Sequence, residues 1–239
     1  MIFNQAEFDL RCEWGLAGVQ QLAGISDVIV IVDILSFSTS VDIITSRGAI
    51  AFPYCWRDAS AAQFAATNQA ILAGRDRTSL FSLSPASLRS ISASTRLVLP
   101  SPNGSTLSLS TGATPTLAGC FRNCQAIAKF AQSIGSKIAV IPAGERWPDA
   151  SLRPAWEDWV GAGAILSHLP GTRSPEAEAA IAAFQQIKAD LANRLQRCSS
   201  GKELIARGFG QDVEIASEYN ISSTVPCLIE GAYRDANRV

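Results

Sequence analysis

The sequence predicts an α/β fold: a three-layer α/β/α domain with a mostly parallel or mixed central sheet, spanning residues 1–239 as one unit. Three observations carry this. Residues 28–33 read VIVIVD, β-branched on both faces, as in a strand covered on both sides. Strand-like and helix-like segments alternate along the chain, the order that builds layered α/β domains. Apolar residues make up 47% of the chain and charged residues only 17%, enough for a sizeable core and unlike a disordered chain.

The elements follow in order. The first strand ends in Asp33; LSFSTS comes next, and VDIITSRG (41–48) reads as a helix ending at Gly48, with Ser38, Thr39 or Ser40 placed to cap it. IAFPYC (50–55) is a second strand, which Pro53 assigns to a sheet edge or a strand end. The Ala-rich segment 57–74 is a helix stopped by Gly74. A Ser-rich stretch, 78–94, shows no usable period. RLVLP (96–100) is the third strand and runs into SPNGST, a turn or short helix. CFRNCQAIAKFAQSIG (120–135) is an amphipathic helix and KIAVIP (137–142) the fourth strand. A helix covers 154–168, with Pro154 suited to its first turn. Residues 175–197 form a long helix, 200–207 a second, DVEIASEYN (212–220) a short third, and TVPCLIEGAY (224–233) a final strand.

Charge narrows the function. Twenty Lys and Arg against 21 Asp and Glu give a net charge of −1. Bulk attraction to nucleic acid or an anionic membrane needs a basic chain, so any anion must be held locally by a shaped site. The six cysteines, at 12, 55, 120, 124, 198 and 227, form no CxxC pair and no dense disulfide framework. The first fifteen residues lack a secretory pattern, and no stretch approaches ~18 uncharged apolar residues. These features predict a cytoplasmic protein with reduced thiols, no membrane partner and no nucleic-acid partner.

In open α/β sheets, ligands bind beyond the carboxyl ends of the strands. After the first strand stand Asp33, Ser36, Ser38 and Thr39; after the third, Ser101, Asn103, Gly104, Ser105 and Thr106; after the fourth, Gly144, Glu145 and Arg146, then Glu157 and Asp158. Carboxylates suit Mg²⁺, which takes one or two of them plus waters and a substrate phosphate. Hydroxyls, backbone N–H groups and an arginine suit the phosphate. Plainer readings stand beside this: Asp33 as a helix cap, SPNGS as a turn, Glu157 and Asp158 complementing a helix dipole, Glu145 and Arg146 as a solvated pair. Other mechanisms lack their parts. His168 is the only histidine and no GxSxG, GxxxxGK[ST] or GxGxxG occurs. No second aspartate stands two residues after Asp33.

Taken together, VDILSFSTS, LPSPNGST, GCFRNCQAIA, PAGERW, WEDWVGAGAIL and DVEIASEYNISSTVPCL resemble the 2-phosphosulfolactate phosphatase family, in order from about residue 27 to 230. The resemblance implies a Mg²⁺-dependent acid phosphatase acting on a small 2-phospho acid that bears a sulfonate, in the route to coenzyme M. It also implies a three-layer α/β/α fold of its own type. By position it marks Asp33, the loop Ser101, Asn103, Gly104 and Ser105, then Arg122 and Asn123, Glu145, the pair Glu157 and Asp158, and Asp212. One departure matters: many family members carry arginine and a small residue where this chain has Ser36 and Phe37.

The resulting expectation is a Mg²⁺-dependent phosphatase of a small phosphorylated acid. Asp33, Glu145 and Asp158 would be catalytic, and Asp33, Glu145, Glu157, Asp158 and Asp212 would serve the ion. Ser36, Ser38, Thr39, Ser101, Asn103, Gly104, Ser105, Arg122, Asn123 and Arg146 would hold phosphate or substrate. The alternatives are a non-catalytic phospho-acid or sulfonate binder, or an assembly subunit on the same fold; the low charge and 47% apolar content fit a homo-oligomer as well as a large core.

Overall fold

The computed structural model describes residues 2–55 and 58–238. The elements run β1 (Leu10–Cys12), α1 (Gly15–Leu22), β2 (Val28–Val32), α2 (Phe37–Ser46), β3 (Ile50–Tyr54), α3 (Ala59–Thr67), β4 (Ile71–Leu72), β5 (Arg96–Pro100), α4 (Gly104–Ser108), β6 (Thr116–Ala118), α5 (Cys124–Ile134) and β7 (Ile138–Pro142). They continue with β8 (Glu145–Arg146), β9 (Leu152–Arg153), α6 (Trp156–Leu166), α7 (Pro175–Ile187), α8 (Leu191–Arg197), α9 (Ser199–Ala206), α10 (Gly210–Ala216), β10 (Pro226–Ile229) and β11 (Ala232–Asp235).

Nine strands form one mixed sheet, ordered β1-β7-β2-β6-β10-β11-β3-β5-β4. Two parallel groups, β1-β7-β2-β6 and β3-β5-β4, flank the antiparallel β10–β11 hairpin. Each joint to the hairpin is one antiparallel pair, Cys227 with Leu117 and Tyr233 with Ala51. The carboxyl ends of β2, β5 and β7 meet at one place, tied by hydrogen bonds between the segments that follow them.

Burial on both faces explains the composition of the strands. All five residues of β2 are at 0% exposure. Val28, Val30 and Val32 point to a core shared with Ile127, Val160, Ala164 and Phe184. Ile29 and Ile31 point the other way, to Val19, Leu22 and Leu107. The period of two thus feeds two helical layers, and each buried Val or Ile contributes roughly 1.5–3 kcal/mol. In the second half, Ala51, Leu97 and Leu99 face α2, while Phe52 and Val98 face Ala65 of α3. The three-layer expectation holds.

Several boundaries differ from the sequence reading. Helix α2 begins at Phe37, and Ser38, Thr39 and Ser40 lie inside it with no capping role. Strand β3 is interior to the sheet; Pro53 is accommodated near its end, past the single pair with β11 at Ala51. The helix expected over 57–74 stops at Thr67, and its first residue, Arg57, lies outside the described residues. The Asn68 side chain donates to the Phe64 carbonyl at 2.9 Å, Gln69 turns left-handed at φ 50°, and Ile71–Leu72 become the edge strand β4. Helix α5 starts at Cys124 rather than 120. Pro154 precedes α6, whose N-cap is Ala155. The long helix breaks at Lys188–Asp190, where the Asp190 carboxylate accepts from Asn193 and Arg194. The expected strand 224–233 is a hairpin, because Glu230 (φ 50°) and Gly231 (φ 77°) supply a two-residue turn with both φ values positive. Strands β1, β6, β8 and β9 and helix α1 carried too short a pattern to be read.

Candidate active site

Two buried aspartates tie the strand ends together. Asp33 follows β2 directly. Its Oδ1 accepts the Phe37 N–H at 3.3 Å and its Oδ2 the Gly104 N–H at 2.9 Å. One carboxylate thus binds the first residue of α2 and the first residue of α4. Asp158, in the first turn of α6, accepts the Ile34 N–H at 2.7 Å on Oδ1 and the Gly144 N–H at 2.9 Å on Oδ2. It fastens the loop after β2 to the loop after β7. Asn103 donates from Nδ2 to Glu145 Oε2 at 3.0 Å. Gly104 has no substitute here: an added Cβ would lie 2.2 Å from Phe37 Cδ1 and 2.9 Å from Asp33 Oδ2. Phe37 itself is core, at 1% exposure and edge-on to Tyr233.

Four acids share this small volume, and burial acts against their charges. Burial pushes Asp33 up to about 6, with Glu157 adding repulsion and the Phe37 and Gly104 N–H groups opposing it. Burial and Asp33 push Glu145 up to about 7, against the Asn103 hydrogen bond. Asp158 is also driven well above the usual carboxylate range by burial, Asp33 and Glu157. Yet both Asp158 oxygens accept backbone N–H bonds, which favours the anion. A nearby cation would resolve that conflict. Glu157 is 2% exposed, and its Oε2 has no hydrogen-bond partner among the described residues.

Asp33 and Glu145 face a cavity of about 480 Å³, together with Ser36, Ser101, Asn103 and Arg146. Those six were legible in sequence. Arg75, Arg77, Arg153 and Arg207 were not, although they give the wall its character: five arginines against Asp33, Glu145 and Glu203. A chain of net charge −1 therefore has a locally cationic cavity above a buried acidic floor. The run RDR at 75–77, at the edge of the Ser-rich stretch, was the available signal.

Other predicted residues are placed elsewhere or are already engaged. Ser38 Oγ donates to the Ile31 carbonyl and accepts from Asp33 N–H; Thr39 donates to the Ile34 carbonyl; Ser105 donates to the Leu99 carbonyl. All three are at 0% exposure and brace the loops rather than face the cavity. The Gly104 N–H is taken by Asp33. Arg122 pairs with Asp42 and Glu218, and Asn123 Oδ1 accepts the Cys120 N–H, so these two organise the start of α5. Asp212 does not join the other carboxylates: its oxygens take Arg77, Ser84 Oγ and the Ala86 N–H. His168 lies against Tyr219 and Cys124, apart from the cavity.

A family model for 2-phosphosulpholactate phosphatase matches residues 17–231. Among curated proteins, the 2-phosphosulfolactate phosphatase of Methanothermobacter thermautotrophicus is 31% identical over 135 residues, 56% of this chain and 57% of that protein. Probable 2-phosphosulfolactate phosphatases of Carboxydothermus hydrogenoformans and Thermotoga maritima are 29% and 27% identical over 133 and 138 residues. The matched stretch spans a little over half the length of these curated relatives.

Proposed function

The chain belongs to the 2-phosphosulfolactate phosphatase family, and from that premise we propose that it is a phosphoric monoester hydrolase acting on a small phosphorylated acid, with Mg²⁺ as its metal. The observation that carries this reading is the pairing of a cationic cavity wall with Asp33 and Glu145 at its floor.

The donor set fits a hard divalent cation. Carboxylate oxygens are the ligands such an ion selects. The orphaned Glu157 Oε2 and the mutual repulsion of four acids are what an added cation would relieve. Among the described residues no three His, Cys, Asp or Glu side chains form a ready cage, and Mg²⁺ requires only one or two carboxylates beside waters and phosphate. Asp33, with Glu157 or Asp158 behind it, would hold the ion. When bound, it offsets charge on the phosphoryl oxygens.

The chain's own groups supply the rest. Glu145, oriented by Asn103, takes a proton from the attacking water. Ser36, Ser101 and the arginines orient the substrate oxygens. Asp158 keeps the loops bearing Asp33 and Glu145 in register. The working location we propose is the cytoplasm, on the six free cysteines; no described helix is long and apolar enough to cross a membrane. The test is phosphate release from a panel of small phosphorylated acids, with Mg²⁺ and with excess chelator. Release in Mg²⁺ that stops in chelator is expected. Full release in chelator overturns the metal, and no release from any acid overturns the activity.

A further inference from the structure

One guanidinium in the cavity wall is held more firmly than its neighbours. Arg75, Arg146 and Arg207 are exposed, and an exposed cation is hydrated and screened. Arg153 is half-buried, with a single side-chain hydrogen bond to Ser200 Oγ at 3.2 Å, and no carboxylate among the described residues pairs with it. Arg77 retains 13% exposure. Its Nη1 donates to Asp212 Oδ2 at 2.7 Å and its Nη2 to Ser36 Oγ at 2.7 Å, and its carbon centre lies 5.6 Å from the Phe209 ring. Asp212, at 1% exposure, is itself fixed on its other oxygen by Ser84 Oγ at 2.6 Å and the Ala86 N–H at 3.0 Å. Arg77 is therefore clamped before any ligand arrives, and little ordering remains to be lost on binding. A guanidinium carries five N–H donors in a planar fork; these contacts account for two of them, and Arg77 lines the same cavity as Asp33.

We propose that Arg77 is the specificity-determining residue of this site. It receives the acid group, carboxylate or sulfonate, that the substrate carries besides its phosphate. Asp212 is its positioning residue, and Ser36 sets the rotation of the fork. Arg77 enters the cavity from the segment after β4, whereas Asp33 and Glu145 enter from the ends of β2 and β7. The fork matches the two oxygens of an acid group. The choice of substrate rests on the phosphatase reading above; the anion contact does not.

The test compares 2-phosphoglycerate with glycerol 2-phosphate, which differ by a carboxylate against a hydroxymethyl group. The wild type is expected to favour the acid by about ten- to hundredfold in kcat/KM, chiefly through KM. In Arg77→Gln that ratio falls to within about threefold of one. Arg77→Lys, which still offers Asp212 a cation but loses the fork, restores part of it and carries the test if the glutamine variant does not fold. Asp212→Asn lowers the ratio through KM, with kcat less affected. A ratio that survives Arg77→Gln, or an equal loss on both esters, overturns the inference. If the wild type turns over neither ester, the phosphatase reading fails only when the panel of acids above is inert as well, and the anion contact is read by binding. Calorimetric binding of sulfoacetate then decides Arg77: about tenfold weaker binding to Arg77→Lys supports it, and equal binding overturns it.

Discussion

Asp158→Asn puts two opposing effects into one substitution. The aspartate accepts N–H bonds from Ile34 at 2.7 Å and Gly144 at 2.9 Å, at 3% exposure. Asparagine offers one acceptor oxygen, so one of the two N–H groups would face an NH₂ and stay buried without a partner. An unsatisfied buried donor costs about 1–3 kcal/mol. Loss of the charge works the other way, because Asp33 and Glu157 repel Asp158. The two N–H bonds are short and charge-assisted, and repulsion is already reduced wherever the neighbours protonate, so the hydrogen-bond loss should win. The expected result is a net destabilisation of about 1–3 kcal/mol, with Asp158→Ala, which loses both acceptors, worse. Urea unfolding at pH 7 reads this directly: with m near 3 kcal/mol per M, the midpoint should fall by about 0.3–1 M at unchanged m. kcat should fall further than stability alone explains, because Asp158 fastens the loops that carry Asp33 and Glu145. An Asp158→Asn protein that unfolds at the same or higher urea than wild type would show that repulsion dominates and would refute the reasoning.

Gly104→Ala should lower activity by an order of magnitude or more, with overpacking of about 1–3 kcal/mol, because its Cβ would meet Phe37 at 2.2 Å and displace Asp33; activity and thermal melting measured together check it. Gly163→Ala would set a Cβ 1.9 Å from the Ala180 carbonyl oxygen where α6 crosses α7. It should destabilise at the upper end of that range without changing KM, as seen by melting and steady-state kinetics. Glu145 rises from 4.5 to about 7 on folding. A folded pKa above the unfolded one gives stability that is complete below pH ~4.5 and lost as pH rises through 7, about 3 kcal/mol for this group. In chelator the melting temperature should therefore fall between pH 5 and pH 8, and the fall should shrink in Glu145→Gln and on adding Mg²⁺. A pH-independent melting temperature in chelator would count against the buried acids as described.

Part of the candidate site was legible in the chain because it sits where local pattern and topology coincide. A strand buried on both faces must be apolar at every position, so VIVIV announces itself, and the acid that ends it, Asp33, stands at a carboxyl end by construction. The same logic placed Asn103 after β5 and Glu145 after β7. Local pattern also has a limit, since it records what a residue is and not what its side chain reaches. Ser38, Thr39 and Ser105 have the right chemistry for a phosphate, yet their hydroxyls close bonds within their own loops. Two- and three-residue strands such as β4, β8 and β6 are too short for a period to show, and exist because neighbouring backbone completes them. Charge pairing is the clearest case. Arg77 and Asp212 are 135 residues apart, and nothing in either segment names the other. The sequence by itself determined the layered fold, the acidic strand ends and the absence of any bulk charge to hold an anion. Only the tertiary structure decided that Asp212 fixes an arginine instead of joining the other acids, because a buried carboxylate takes whichever cation and N–H donors the packed chain brings to it.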